Sequence, residues 1–184
     1  MSKLLNPYHF YENLLLWIDG DDLYGNEKAS TYANGAAVTK VFDKSRNRYT
    51  FTSPSTAGSP TYDATNRKIV FDGSNDTLTS ATITNFPTVF HIFIVGALDF
   101  VADSEVDTIF HVDTPNNRDL SFVVEKFVSG GSPETQIKSQ FNYVDSSNNS
   151  QTGASVAVDA GDNVDNIFEA AVDSGNVHVD LNND

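Results

Sequence analysis

The sequence predicts an all-β chain folded as a two-sheet antiparallel β-sandwich, and three observations predict it. Short apolar runs alternate in period 2 through most of the second half. Gly, Asn and Asp cluster between them at short spacing. A 3.6-residue periodicity is almost nowhere sustained. Composition agrees: Phe occurs 13 times in 184 residues and Met once, so aromatic and β-branched side chains, which suit pleated surfaces, build the interior. A chain of this length buries enough surface for one domain, expected to span 1–184 with no linker.

Taken in order, Asn6-Pro7 can start one helical turn, which the acids around Gly20 end quickly. "LLLWI" (14–18) then reads as a short buried strand with Trp17 as a core plug. Residues 25–60 are rich in Ser, Thr, Asn, Gly and Pro and read as a long loop-dominated excursion, with strand-like islands at 38–42 and 49–52. "KIVFDGSNDTLTS" (68–80) reads as a hairpin turning at Asp72-Gly73-Ser74-Asn75. "TVFHIFIVGAL" (88–98) is nearly continuously apolar, the pattern of a central strand covered on both faces. "DTIFHV", "LSFVVEKFV", "TQIKSQFNYV" and "ASVAVDA" each carry one dry and one wet side. "NIFEAAV" and "NVHVDLN", separated by Asp173-Ser174-Gly175, form the strongest hairpin signal in the chain.

Twenty-five acids against eleven bases give a net charge of −14. Such a field opposes binding to phosphate backbones, so nucleic acid is excluded as a partner. Membrane insertion is excluded because the longest apolar run, 92–98, is far too short to span a bilayer. The absence of cysteine removes disulfides and thiolate metal sites. The N-terminus lacks the apolar core and small-residue cleavage site of an export signal, so the expectation is a soluble protein made without one.

Four segments occur together in a recognisable order: "LLLWIDGDDL" (14–23), "VFDKSRNRYTF" (41–51), "IVFDGSNDTLTS" (69–80) and "TVFHIFIVGAL" (88–98). In this order they resemble the concanavalin A-like (laminin G-like) jelly-roll domains common in bacteriophage and environmental virus proteins. Those domains show a Leu-x-Leu-Trp-Leu-Asp opening, a Trp-x-Asp-x-Ser-Gly turn and a Phe-Asp-Gly-Ser-Asn-Asp hairpin before a long apolar strand. Phe42 stands here where tryptophan is usual, and Arg46 where glycine is usual. The resemblance implies a jelly-roll, concanavalin A-like sandwich. Its members usually continue past a strand like "VHVDLN", so a chain ending at Asp184 is expected to leave an edge strand open, with an assembly contact along it.

Glucanases of that fold use a strand motif Glu-x-Asp-x-(x)-Glu, in which one glutamate attacks and the second protonates the leaving oxygen. A retaining glycosidase needs such carboxyl groups about 5 Å apart. Glu105 and Asp107 fit the first positions, but Ile109 or Phe110 stands at the last. Lacking that proton donor, the chain is expected to be no enzyme, and Glu105 and Asp107 read as exposed residues at a strand start. No catalytic residue is assigned.

Asp19, Asp21, Asp22, Asn26 and Glu27 gather the hard oxygens that calcium takes, and calcium is the one cofactor the sequence leaves open. Leu23 and Tyr24 stand where EF-hand spacing requires a ligand and a glycine. A solvated acidic loop is therefore expected, with no metal or cofactor residues assigned. His9, His91, His111 and His178 lie far apart; His91 reads as a hydrogen-bonded core residue and His178 alternates outward. Asp72, Gly73 and Asp76 read as turn-formers through side-chain to backbone bonds and a positive φ.

The resemblance and the acidic surface together imply a non-enzymatic structural protein of the virion, such as a capsid decoration, tail or fibre component. Its partners would be other virion proteins, copies of itself and host surface glycans. A free carbohydrate-binding module, with Tyr24, Tyr32 and Tyr62 stacking on sugar rings, is the alternative, and a β-glucanase the more distant one.

Overall fold

The computed structural model describes residues 13–25, 32–80, 83, 87, 89–97, 106–112, 120–128, 135–144, 150–158, 165–173 and 176–183. Within them the chain is all-β, built of small antiparallel sheets, and one 3-10 turn, Thr56–Gly58, is the sole helical element. Cα proximity divides the chain into two compact units, Met1–Phe86 and Pro87–Asp184. The expected helical turn at Asn6-Pro7 lies outside the described residues.

In the first unit, β1 (Lys40–Phe42) pairs with β2 (Thr50–Thr52), and β2 pairs on its other side with β5 (Thr79–Ser80). A separate ribbon joins β3 (Thr61–Asp63) to β4 (Lys68–Val70). Register decides the core. Val41 sits opposite Phe51 and Tyr62 opposite Ile69, and opposed residues share a face. These four, with Leu23, Val38, Tyr32 and Leu78, form one apolar cluster. Leu23, Val38 and Val41 are fully buried, each contributing about 1.5–3 kcal/mol by area.

Two expectations fail in this unit. The run 14–18 is not a strand: its backbone is used by distant loops, with Lys44 N donating to Trp17 O and Ser45 Oγ to Leu15 O. The segment 68–80 is not a hairpin either, because β4 pairs with β3 and β5 with β2. Its turn chemistry is nevertheless as read. Asp72 Oδ1 accepts from Ser74 N at 2.9 Å and Asn75 N at 3.3 Å, Asp72 N donates to Asp76 Oδ2 at 2.8 Å, and Gly73 has φ +72. A glycine that can take positive φ marks a change of direction without naming the strand's partner.

In the second unit, β7 (Val106–Val112), β8 (Leu120–Val128), β9 (Thr135–Val144) and β10 (Ser150–Val158) form an antiparallel meander. A second sheet has the order β12-β11-β6, from β6 (Phe90–Ala97), β11 (Asp165–Asp173) and β12 (Asn176–Asn183). The expected last hairpin is present, with Asp173 opposite Asn176. Cα atoms of β12 also come within 8 Å of β10 and β9, without joining their ladder.

The apolar strand β6 is not central. Among the described strands it lies at the edge of its sheet, and the strand between two neighbours is β11, where Phe168, Ala170, Ala171 and Val172 are all buried. Along β6, Phe90, Ile92 and Ile94 are buried or half-buried, whereas His91, Phe93 and Val95 face solvent. An unbroken apolar run is equally readable as two buried faces or one buried and one bare.

Candidate functional site

The described polar side chains concentrate in the first unit, around Asp43. Its carboxylate is completely buried and accepts four hydrogen bonds. Trp17 N and Ser45 N each lie 2.8 Å from Oδ1; Ser45 Oγ at 2.6 Å and Tyr49 N at 3.3 Å donate to Oδ2. The Asp-x-Ser spacing permits this, since a side chain that turns back onto the backbone two residues later forms an Asx turn. Ser45 Oγ passes the network on by donating to Leu15 O at 3.1 Å, and Asn47 Nδ2 donates to the same oxygen at 2.8 Å. A buried charge satisfied in this way clamps segment 14–18 onto the β1–β2 turn.

Lys44, next in sequence, turns the other way. Its ammonium lies 2.9 Å from Asp19 Oδ2, 3.4 Å from Asp22 Oδ2 and 4.4 Å from the Trp17 ring centroid, with only 9% of the side chain exposed. Trp17 is thus half-buried beneath a cation, not plugged into the core. Asp21 faces a second cation, Arg67 Nη1, at 3.3 Å. The carboxylates read as a solvated or calcium-binding loop are held by Lys44 and Arg67. Among the described residues no three His, Asp or Glu converge as a metal site, and Asn26 and Glu27 lie outside them.

Burial alone would lower the Lys44 pKa, but hydrogen bonding and charge from Asp19, then Asp22, outweigh it and hold the ammonium above its ordinary value. Burial, then the neighbouring Tyr24, raises the Tyr32 phenol. Asp63 is lowered, first by the Asn66 side chain, and Asp72 by the backbone N–H groups of Ser74 and Asn75. The signs fix the pH profile. Raised groups give stability below their unfolded values that is lost as pH climbs through the folded ones; lowered groups give stability that is lost as pH falls. Thermal midpoints followed by the fluorescence of Trp17 should therefore hold a plateau around neutrality. They should drop below about pH 4 and above about pH 10, and Lys44→Met should shrink the alkaline drop.

The three tyrosines expected to stack on sugars stack on one another. Tyr24 and Tyr32 lie parallel with centroids 5.5 Å apart, and Tyr32 leans on Tyr62 at 6.0 Å. Tyr62 is buried and donates its hydroxyl to Gly20 O at 3.1 Å; Tyr32 donates to Lys40 O at 3.2 Å. Beside this stack is a shallow open depression of about 380 Å³, lined by Asn34, Thr61, Asp63, Thr65, Asn66 and Val70. Its polar groups are pre-set. Asn34 Oδ1 accepts from Ala64 N at 3.0 Å, which turns its amide nitrogen the opposite way. Asn66 Nδ2 donates to Asp63 Oδ2 at 2.8 Å, which leaves its own oxygen as an acceptor. The sequence reading missed this depression, as it missed Asp43 and Lys44. The signal for it was the Asp-Ala-Thr-Asn turn after β3, where Asp63 Oδ1 accepts from Thr65 N and Asn66 N.

Among the described residues the remaining candidates form no common cluster. Glu105 and His9 lie outside the described residues. Asp107 sits on β7 opposite Val124, and the ladder slips by one residue at Ile109, between Thr108 and Phe110. His111 is exposed on the same strand. His178 lies on β12 opposite Ala171. His91 is no core residue: it is exposed, with Nδ1 3.6 Å from Glu169 Oε1 and its ring 6.2 Å from that of Phe93. No protein-family model matches this chain, and no curated protein or solved structure matches it significantly.

Proposed function

We propose that this chain is a non-enzymatic structural component of a virus particle, such as a capsid decoration, tail or fibre element, and that its first unit presents an adhesion surface for glycans. The observation that carries the reading is the depression between Asn34 and Val70. It is open and shallow, it offers the amides of Asn34 and Asn66, each held by a hydrogen bond, beside the hydroxyls of Thr61 and Thr65, and an exposed apolar side chain lies at its margin. Sugars are recognised by such a mixture of convergent polar groups and apolar contact. Pre-set side chains lose little conformational entropy on binding.

The particle setting is supported by the ordered motifs at 14–23, 41–51, 69–80 and 88–98 and their resemblance to viral jelly-roll domains. With it goes the finer architecture of a concanavalin A-like two-sheet sandwich. The acidic surface suits a module that meets solvent and neutral hydroxyls rather than phosphates.

Two measurements test the reading. Mass spectrometry of purified virions should find the chain among the particle proteins. On a glycan array the purified chain should retain neutral oligosaccharides, and Val70→Arg, which fills the depression from an exposed position, should abolish that retention. Absence from particles together with an empty array would refute both halves.

A further inference from the structure

Asn34 is followed by Gly35, the one Asn-Gly pair in the chain, and both residues are exposed where they line the depression. In such a pair the glycine nitrogen can attack the side-chain carbonyl carbon of the asparagine and close a succinimide ring. Two features favour that reaction here. Gly35 has φ +73, and a Cβ placed on it would meet nothing within 4 Å, so the turn can rotate with nothing in its way. Asn34 Oδ1 accepts from Ala64 N at 3.0 Å, and a donor on that oxygen stabilises the charge that develops there as Cγ is attacked.

One feature restrains it. Gly35 N donates to Tyr62 O at 2.8 Å, and Tyr62 N donates back to Ala36 O at 3.0 Å. The attacking nitrogen is thus engaged while this loop is docked on β3, and it is released when the exposed pairing opens locally, which costs less than unfolding the unit. Other exposed asparagines have poorer neighbours. Asn47 and Asn66 precede arginines and Asn75 precedes Asp76, so a side chain crowds each attacking nitrogen.

We propose that Asn34 is a site of spontaneous deamidation, and that its conversion ends glycan adhesion by the depression. Gly35 N bonds to Asn34 Cγ, the Cγ–Nδ2 bond breaks, and the side-chain nitrogen leaves as ammonia, carrying the proton that Gly35 N gives up. Water then opens the ring. Attack at Cγ gives an aspartate at position 34; attack at the backbone carbonyl gives an isoaspartate, in which the main chain runs through the former side chain. Solvent water is the only co-reactant, and nothing is oxidised or reduced. Either product replaces an amide donor with a carboxylate, in a depression that already holds Asp63. A donor for sugar hydroxyls is lost and a second negative charge is gained. The loss of adhesion rests on the glycan reading, whereas the reaction does not.

The purified chain, kept in mildly alkaline buffer, digested and mapped by mass spectrometry, should convert at Asn34 several-fold faster than at Asn47, Asn66 or Asn75, with isoaspartate among the products. In denaturing urea, which frees Gly35 N, conversion should be several-fold faster still. On a glycan array, retention of neutral oligosaccharides should fall in step with the converted fraction. Fresh Asn34→Asp, with circular dichroism matching the parent chain, should lose retention without ageing. Conversion at Asn34 no faster than at Asn66 overturns the reaction, and equal rates with and without urea overturn its restraint by the turn. Retention that survives full conversion overturns the loss of adhesion. An array empty for the fresh chain refutes the glycan reading and the loss of adhesion with it, while the peptide map decides the reaction separately.

Discussion

Asp43→Ala is expected to destabilise the first unit by roughly 3–5 kcal/mol, measured by denaturant unfolding with Trp17 as the reporter. The carboxylate is fully buried, and its removal strands four donors at once: Trp17 N, Ser45 N, Ser45 Oγ and Tyr49 N. Each buried donor left without a partner costs about 1–3 kcal/mol, and relaxation of the turn recovers part of the sum. Asp43→Asn preserves the shape but replaces one accepting oxygen with an NH₂ group that confronts two of those donors, so it should fall between wild type and alanine. Trp17 is the chain's one tryptophan and its backbone N–H is bound to Asp43, so it reports directly on this clamp. An alanine variant as stable as wild type would show that the network does not hold the segment.

Phe168→Ala should have an effect of similar size in the second unit, about 3–5 kcal/mol. Its ring is 1% exposed on β11, the strand with neighbours on both sides. Truncation removes the apolar contact and leaves a cavity that the surrounding sheet fills only partly. Loss of strand signal in circular dichroism should shift to lower denaturant. Phe93→Ala, on an exposed position of neighbouring β6, should move it by less than about 0.5 kcal/mol. Equal shifts for the two phenylalanines would contradict the assignment of β11 as the buried strand.

What the sequence disclosed follows from what period-2 patterning encodes. The strands from β7 to β12 were all legible, because each is a run of apolar and β-branched residues broken by polar ones and the turns between them are rich in Gly, Asn and Asp. Partners were legible only where the connection was short, as between Asp173 and Asn176. Around Asp72 the local chemistry was correct and the pairing was not, since side-chain to backbone bonds within five residues carry no information about which strand lies alongside. "LLLWI" failed for a related reason: its backbone partners, Asp43, Lys44, Ser45 and Asn47, are 26 to 32 positions away. For β6, composition described the strand but not its surroundings, and an unbroken apolar run did not show that one of its faces, carrying Phe93 and Val95, is left bare.

The site was less legible than the fold. Acids between 19 and 22 were visible, but their cations were not, because Lys44 and Arg67 arrive from distant turns. The three tyrosines were named as sugar-stacking residues on loops, and nothing in their spacing distinguished such a platform from a stack against one another with Tyr62 buried. Asn34 and Asn66 looked like ordinary loop residues until the β3–β4 ribbon brought them to one depression.

The pairing of β5 with β2 also dictates an order of events. Ribbons β1–β2 and β3–β4 close over short spans, but Thr79 meets Thr52 across 27 positions, and the entropy of that closure delays it. A refolding chain in which β5 has not yet docked leaves one side of β2 open, and encounters between such chains compete with β5 for it. Yield should fall as the concentration of refolding chains rises, long before the finished protein shows any tendency to precipitate.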